Sequence, residues 1–319
     1  MPNRSRATQA LALLTLWLVV TGTQGAAQSA GKEGFVDAGA GVRLFYKLIG
    51  AGDTLVVLHG GPGFSMAYFA ADLEPLATRH TLLFYDQRGA GRSTLVSDSA
   101  ALDAQRFADD LEAVRKHFKI ERLTLMGHSW GAAVAAVYAI RYPSRVGRLL
   151  LVGPIPTTRA EFAPVPARLD ARRDSALRRQ LQEYREKREA NPGDAAICRA
   201  YYLAWFPPHF ADARNLSKSR GDFCAGGPEA LTNKARSVDR YAMASLGDWD
   251  WRPALGKVAA PALIIHGDMD GIPPETGRAW AAALPNGKFL LLEGSGHFPY
   301  LEVPDRFFAA VNSFLEQKE

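Results

Sequence analysis

Leu123-Thr124-Leu125-Met126-Gly127-His128-Ser129-Trp130-Gly131-Ala132-Ala133 is a short apolar run that breaks at a glycine and restarts as an alanine-rich stretch reaching Arg141. The run predicts a buried strand and the stretch predicts a helix. Between them stands G-x-S-x-G. That spacing demands a sharp turn whose backbone is strained at the serine, lifting the hydroxyl of Ser129 clear of the strand end. It also sets the N–H of Trp130 at the positive end of a helix, where it can bind an oxyanion.

The same strand-to-glycine pattern recurs on both sides. Thr54–Leu58 ends at His59-Gly60-Gly61-Pro62-Gly63, Thr81–Tyr85 ends at Asp86, and Leu149–Val152 ends at Gly153-Pro154. Later, Ala262–Ile265 ends at His266-Gly267 and Phe289–Leu292 ends at Glu293. Arg43–Leu48 alternates like a half-buried strand. Short, wholly apolar strands are buried on both faces, as in a parallel sheet. Helical patterns lie between them: Phe107, Leu111, Val114 and Phe118 share one face, and Phe307 to Phe314 closes the chain. The expectation is an α/β fold, a mostly parallel sheet flanked by helices. Residues 155–254 interrupt the alternation with a charged helical stretch, Arg168 to Glu189, and an aromatic one around Tyr201-Tyr202-Leu203-Ala204-Trp205-Phe206. They read as an inserted helical cap between core segments 34–154 and 255–319.

Composition agrees. Of 319 residues, 47% are apolar and 22% charged, which excludes a disordered or collagen-like chain. The net charge of +5 is small, and basic residues are interleaved with acids, so nucleic acid is not an expected partner. The first residues differ from the rest. Arg4 and Arg6 precede an apolar run, Ala10 to Val20, and small residues follow through Ala30. This is a secretory signal peptide pattern, residues 1–27 with cleavage after Ala27, or else after Ser29 or Ala30. The run rises only about 16 Å as a helix, short of the roughly 30 Å hydrocarbon core. The expectation is an exported protein, periplasmic or secreted, without a stable membrane span after signal removal. In an oxidising compartment Cys198 and Cys224 can close a disulfide; otherwise they are two buried thiols. No Cys or His spacing suits a metal, and no cofactor is called for.

A serine hydroxyl is a weak nucleophile until a base takes its proton and a carboxylate orients that base. In this strand–turn–helix setting the chain order is Ser, acid, His. Gly267-Asp268-Met269-Asp270 and then Gly294-Ser295-Gly296-His297 follow two strand ends in that order. Ser129, Asp270 and His297 are therefore the candidate catalytic residues, with Asp268 bracing its turn. The amides of Gly61 and Trp130 are the candidate oxyanion hole, and the side chain of His59 is expected to stabilise its loop. Tyr201, Tyr202, Trp205 and Phe206 are candidates to line a substrate pocket beside Trp130, or else to form the cap's own core.

These motifs, together with Phe84-Tyr85-Asp86-Gln87-Arg88-Gly89-Ala90-Gly91-Arg92-Ser93, resemble the α/β-hydrolase superfamily and, within it, the proline iminopeptidase group of serine peptidases. The resemblance implies the α/β-hydrolase fold and the triad and oxyanion roles just given. It makes Asp86 and Arg88 core-bracing residues and implies an aminopeptidase acting on small peptides. A carboxylesterase or lactonase with the same triad is the alternative. The sequence departs from the group at His128 and Ala132, where glycines are common. In that group cap acids bind the substrate's free amine. Glu183, Glu186, Glu189, Asp222 and Glu229 are available here, and no motif singles one out.

Overall fold

The structure is a computed structural model and describes residues 31–317. The expected signal peptide lies outside the described residues. Eight strands form one sheet: β1 (Lys32–Asp37), β2 (Arg43–Ile49), β3 (Thr54–Leu58), β4 (Thr81–Tyr85), β5 (Leu123–His128), β6 (Val146–Val152), β7 (Ala262–Gly267) and β8 (Gly287–Leu292). Their spatial order is β1-β2-β4-β3-β5-β6-β7-β8. β1 and β2 are antiparallel additions at one edge, and every pair from β4 onward is parallel. The sheet begins at Lys32, two residues before the expected start. β1 is mostly exposed and carries no apolar run that would announce it.

The parallel strands are apolar throughout because both faces are covered. Along β3, Val56 and Leu58 join one core layer while Leu55 and Val57 join the other. The first layer is closed by α1 (Ala104–His117) and α2 (Trp130–Arg141), which bury Phe107, Leu111 and the alanine face of α2.

The insert after β6 opens with six α-helices: α3 (Arg159–Phe162), α4 (Val165–Ala171), α5 (Ser175–Ala190), α6 (Ala195–Trp205), α7 (Gly227–Asn233) and α8 (Asp239–Ala244). Its one β contact is an isolated bridge, Thr158 to Asp250. The expected charged helical stretch, Arg168 to Glu189, is divided between α4 and α5. Asp174 ends the first by capping the second, its carboxylate accepting the Leu177 N–H at 2.8 Å. Cys198 on α6 and Cys224, just before α7, are disulfide-bonded. The chain then passes through α9 (Arg252–Leu255), so the expected cap boundary at residue 254 falls inside a helix. After it come α10 (Pro274–Ala283), α11 (Pro299–Glu302) and α12 (Pro304–Leu315). α12 buries Phe307, Val311 and Phe314 in the second core layer.

The segment after β4 is braced by buried charge. Arg88 holds Asp110 of α1 bidentately, Nε to Oδ2 at 2.7 Å and Nη2 to Oδ1 at 2.5 Å, and gives Nη1 to the Ala101 carbonyl. Both side chains are almost fully buried. Asp86 accepts the Met66 and Arg92 N–H groups, each at 2.8 Å. Removing one member of a buried pair strands the other charge, at a cost of about 3–5 kcal/mol. Arg88→Met should therefore lower the unfolding free energy by about that much in urea titrations, and the double change Arg88→Met/Asp110→Leu should recover most of it.

Candidate active site

Ser129 joins β5 to α2 at φ 55° and ψ −116°, a conformation non-glycine residues rarely adopt. It is held there by its N–H, which donates to the Val152 carbonyl at 3.0 Å. The helix that follows packs hard against the sheet: a Cβ on Gly131 would sit 2.2 Å from the Leu58 carbonyl oxygen. Nothing larger than glycine fits, so this residue sets the helix's approach.

His297 and Asp270 arrive on the loops after β8 and β7. His297 Nδ1 donates to Asp270 Oδ2 at 2.8 Å, with both groups buried. Asp270 Oδ1 accepts the Ile272 N–H at 2.9 Å. Burial alone would raise the Asp270 pKa, but the nearby His297, that hydrogen bond and His266 outweigh it and bring it to about 2. The carboxylate therefore stays ionised at neutral pH, and its contact assigns the proton of His297 to Nδ1, leaving Nε2 free to accept one. Asp268 instead accepts the Ser295 N–H at 3.2 Å, tying the two loops together. The imidazole lies so close to Gly153 that a Cβ there would be 2.9 Å from His297 Nδ1.

The amides of Gly61 and Trp130 have no hydrogen-bond acceptor among the described residues. That of Trp130 is a first-turn amide, without a partner in its own helix. The loop carrying Gly61 is fixed through His59. His59 Nδ1 donates to the Gly60 carbonyl and its Nε2 accepts the Gln87 N–H, both at 2.9 Å. Gln87 also donates Nε2–H to the His59 carbonyl and accepts the indole N–H of Trp130. Gln87 thus clamps the two segments that carry the two free amides.

A second chain of bonds joins the three loops of the site. The Gly60 N–H donates to the Tyr68 hydroxyl at 3.0 Å, and the hydroxyl donates to His128 Nδ1 at 2.6 Å. His128 Nε2–H then donates to the His297 carbonyl at 2.9 Å. Sequence reading missed both Gln87 and Tyr68. Gln87 stood in a quoted motif without a role, and Tyr68 ends a short 3-10 turn, Met66–Tyr68, that carries no motif. Lys234 was missed too. It reaches in from a π-helical turn, residues 234–238, to donate to the Pro62 carbonyl at 3.2 Å. It is buried, paired with Asp239, and lies 4.5 Å above the Phe64 ring.

Ser129, His297, Gly60 and Gly61 line a cavity of about 630 Å³ between the strand ends and the cap. Its walls are largely apolar, and Trp205 and Phe206 are among them. Tyr201, Tyr202 and Trp130 are not. Tyr202 is buried against Phe64 and Phe206, and Tyr201 packs under the Arg188 guanidinium, so these two tyrosines belong to the cap's own packing. Trp130 faces Phe107 in the core. None of Glu183, Glu186, Glu189, Asp222 and Glu229 reaches the wall. Glu183 pairs with Lys187, and Asp222 pairs with Arg199. The cap acid that does reach it is Asp170.

A sharp serine turn on a mostly parallel sheet, with a histidine–aspartate pair beneath a cap, defines a hydrolase class. Residues 53–304 match the family model described as alpha/beta hydrolase fold, and the chain belongs to that family. Its relatives include enzymes named proline iminopeptidase. One from Heyndrickxia coagulans is 30% identical over 298 residues, 89% of this chain and 98% of the other. Among solved structures, proline iminopeptidase of Mycobacterium smegmatis superposes with a TM-score of 0.63 at 25% identity, covering 90% of this chain and 98% of that one. An esterase from Thermogutta terrifontis superposes at 0.65 with 23% identity, covering 89% and 98%, which is a likeness of fold. This chain is a hydrolase that resembles the proline iminopeptidases.

Two outcomes follow for the bonded loops. Tyr68→Phe leaves the Gly60 N–H and His128 Nδ1 buried and unpaired, which should cost about 1–3 kcal/mol in denaturant unfolding. The second concerns pH. Burial lowers the pKa of His59 to about 4 and of His128 to about 3. An unfolded chain protonates these rings near pH 6.5. Between those values the unfolded state binds more protons, so this part of the stability is lost as pH falls below about 6.5. Asp86 and Asp110, both raised to about 6 by burial, act in the opposite sense between their unfolded values and about 6. His128→Gln removes one imidazole from the first group alone. Its melting temperature should therefore fall less than that of the unaltered protein between pH 7 and pH 5.

Proposed function

We propose that the chain is a serine hydrolase of the proline iminopeptidase type, releasing N-terminal residues from small peptides through an acyl-enzyme on Ser129. The observation that carries the reading is the 2.8 Å contact of buried Asp270 with His297, which lines the same cavity as Ser129. Nε2 of His297 takes the Ser129 proton as the hydroxyl oxygen attacks the substrate carbonyl. Asp270 holds the ring and stabilises its charged form. The free amides of Gly61 and Trp130 receive the oxyanion. His297 then gives its proton to the leaving amine, and the same steps with water release the acid. No metal or organic cofactor enters these steps. Relatives named proline iminopeptidase, matched over nearly their full length, support the peptide substrate. Export is part of the proposal. The basic and apolar start of the sequence and the cap disulfide support it.

Ester or lactone hydrolysis by the same residues is the second reading, and one observation favours it. A free substrate amine needs an uncommitted carboxylate, yet Asp170 already faces Arg173 at 3.5 Å and Arg178 at 3.3 Å. Purified protein offered prolyl arylamide, its N-blocked form and a simple aryl ester separates the two. Turnover of the free amide but not the blocked one supports the peptidase, and turnover of the ester alone overturns it. Ser129→Ala should lose roughly five to six orders of magnitude in kcat and all labelling by a phosphonate probe, and Asp270→Asn about four orders.

A further inference from the structure

The cap wall of the active-site cavity is cationic. Arg173 lies in the break between α4 and α5 and is buried, with 6% of its surface exposed. Its Nη2 donates to the Trp205 carbonyl at 3.0 Å, and its Nη1 reaches Asp170 at a long 3.5 Å. Its Nε has no partner among the described residues, and neither has Nδ1 of His209. These groups are neighbours. The His209 ring lies 4.2 Å from that of Trp205 and 5.7 Å from that of His297. Arg185 of α5 lines the same cavity and pairs with no carboxylate among the described residues. The Asp170 carboxylate is shared between Arg173 and Arg178, so the wall carries surplus positive charge.

Such a wall is poorly suited to the ring or aliphatic tail that the rest of the cavity would accept alone. Burying a guanidinium is costly unless an anion shares its site. Burial and the neighbouring Arg185 both push the pKa of Arg173 down, against the pull of Asp170. A planar carboxylate matches the guanidinium fork and would satisfy the unpaired donor.

We propose that Arg173 and Arg185 form an anion subsite selecting substrates that carry a carboxylate a few bonds from the scissile carbonyl. This deepens the hydrolase reading and rests on it, but not on the choice between peptide and ester. The carboxylate has two possible sources. On the leaving-group side it is the free C-terminus of a dipeptide. On the acyl side it is the far end of a dicarboxylic monoester.

Two matched pairs test this: prolylglycine against prolylglycinamide, and the 4-nitrophenyl monoester of glutaric acid against 4-nitrophenyl pentanoate. Each is measured as kcat/KM at low salt for the unaltered protein, Arg185→Gln and Arg173→Gln. In one pair the unaltered protein should prefer the carboxylate by roughly tenfold. The preference should shrink several-fold in each variant and fall as salt rises. Arg185 is exposed, so its variant keeps the test alive if the buried Arg173 change prevents folding. Turnover of the neutral members with no carboxylate preference in either pair overturns the subsite while leaving the Ser129 reading intact. A preference unchanged in Arg185→Gln and in folded Arg173→Gln does the same. Absence of turnover on all four, with no phosphonate labelling, overturns both.

Discussion

The strained turn at Ser129 is the constraint on which the rest of the site depends. A side chain at φ 55° is unfavourable by itself and persists only where its surroundings over-determine it. Here they do. The Ser129 amide is bound to the Val152 carbonyl, and α2 is drawn against β3 so closely that position 131 has no room for a side chain. The turn sets Ser129 on the cavity wall, and the helix start it creates leaves the first-turn Trp130 amide without an intrahelical partner. In the proposed reaction, nucleophile and oxyanion donor would come from one backbone event.

Around that turn the protein uses neutral, buried polar groups as fasteners. His59 with Gln87, and Tyr68 with His128, each satisfy backbone groups from different loops. Because the two rings are held uncharged, they can fix geometry without adding charge next to the His297–Asp270 pair. The ionised Asp270 carboxylate then makes its short contact with His297, while His266 lies farther off at 3.5 Å.

Much of this was legible in the chain. Apolar runs ending in glycine revealed β3, β5, β6 and β7, because strands buried on both faces tolerate little else. G-x-S-x-G after a strand located Ser129, and chain order located Asp270 ahead of His297. Tyr68, Gln87 and Lys234 were not legible, since their partners lie far away in sequence and a lone tyrosine, glutamine or lysine has no spacing to betray it. Tyr201 and Tyr202 were left between two readings, cavity wall or cap core, for a related reason. Consecutive aromatics on a helix point in different directions, and composition does not say which faces a cavity and which fills a core. The break at Arg172–Asp174 was hidden because a charged, helix-favouring run conceals a capping aspartate within it.

The Lys234 contact with Pro62 has a consequence for how such an enzyme diversifies. The cap is the natural place to alter substrate preference, since it forms most of the cavity wall. Yet one of its side chains grips the loop that carries the Gly61 amide. Transplanting a foreign cap onto this core would remove that grip. Chimeras made this way would inherit a new selectivity together with a slackened glycine loop beside Ser129, and would need a compensating anchor before the gain in selectivity appeared as turnover.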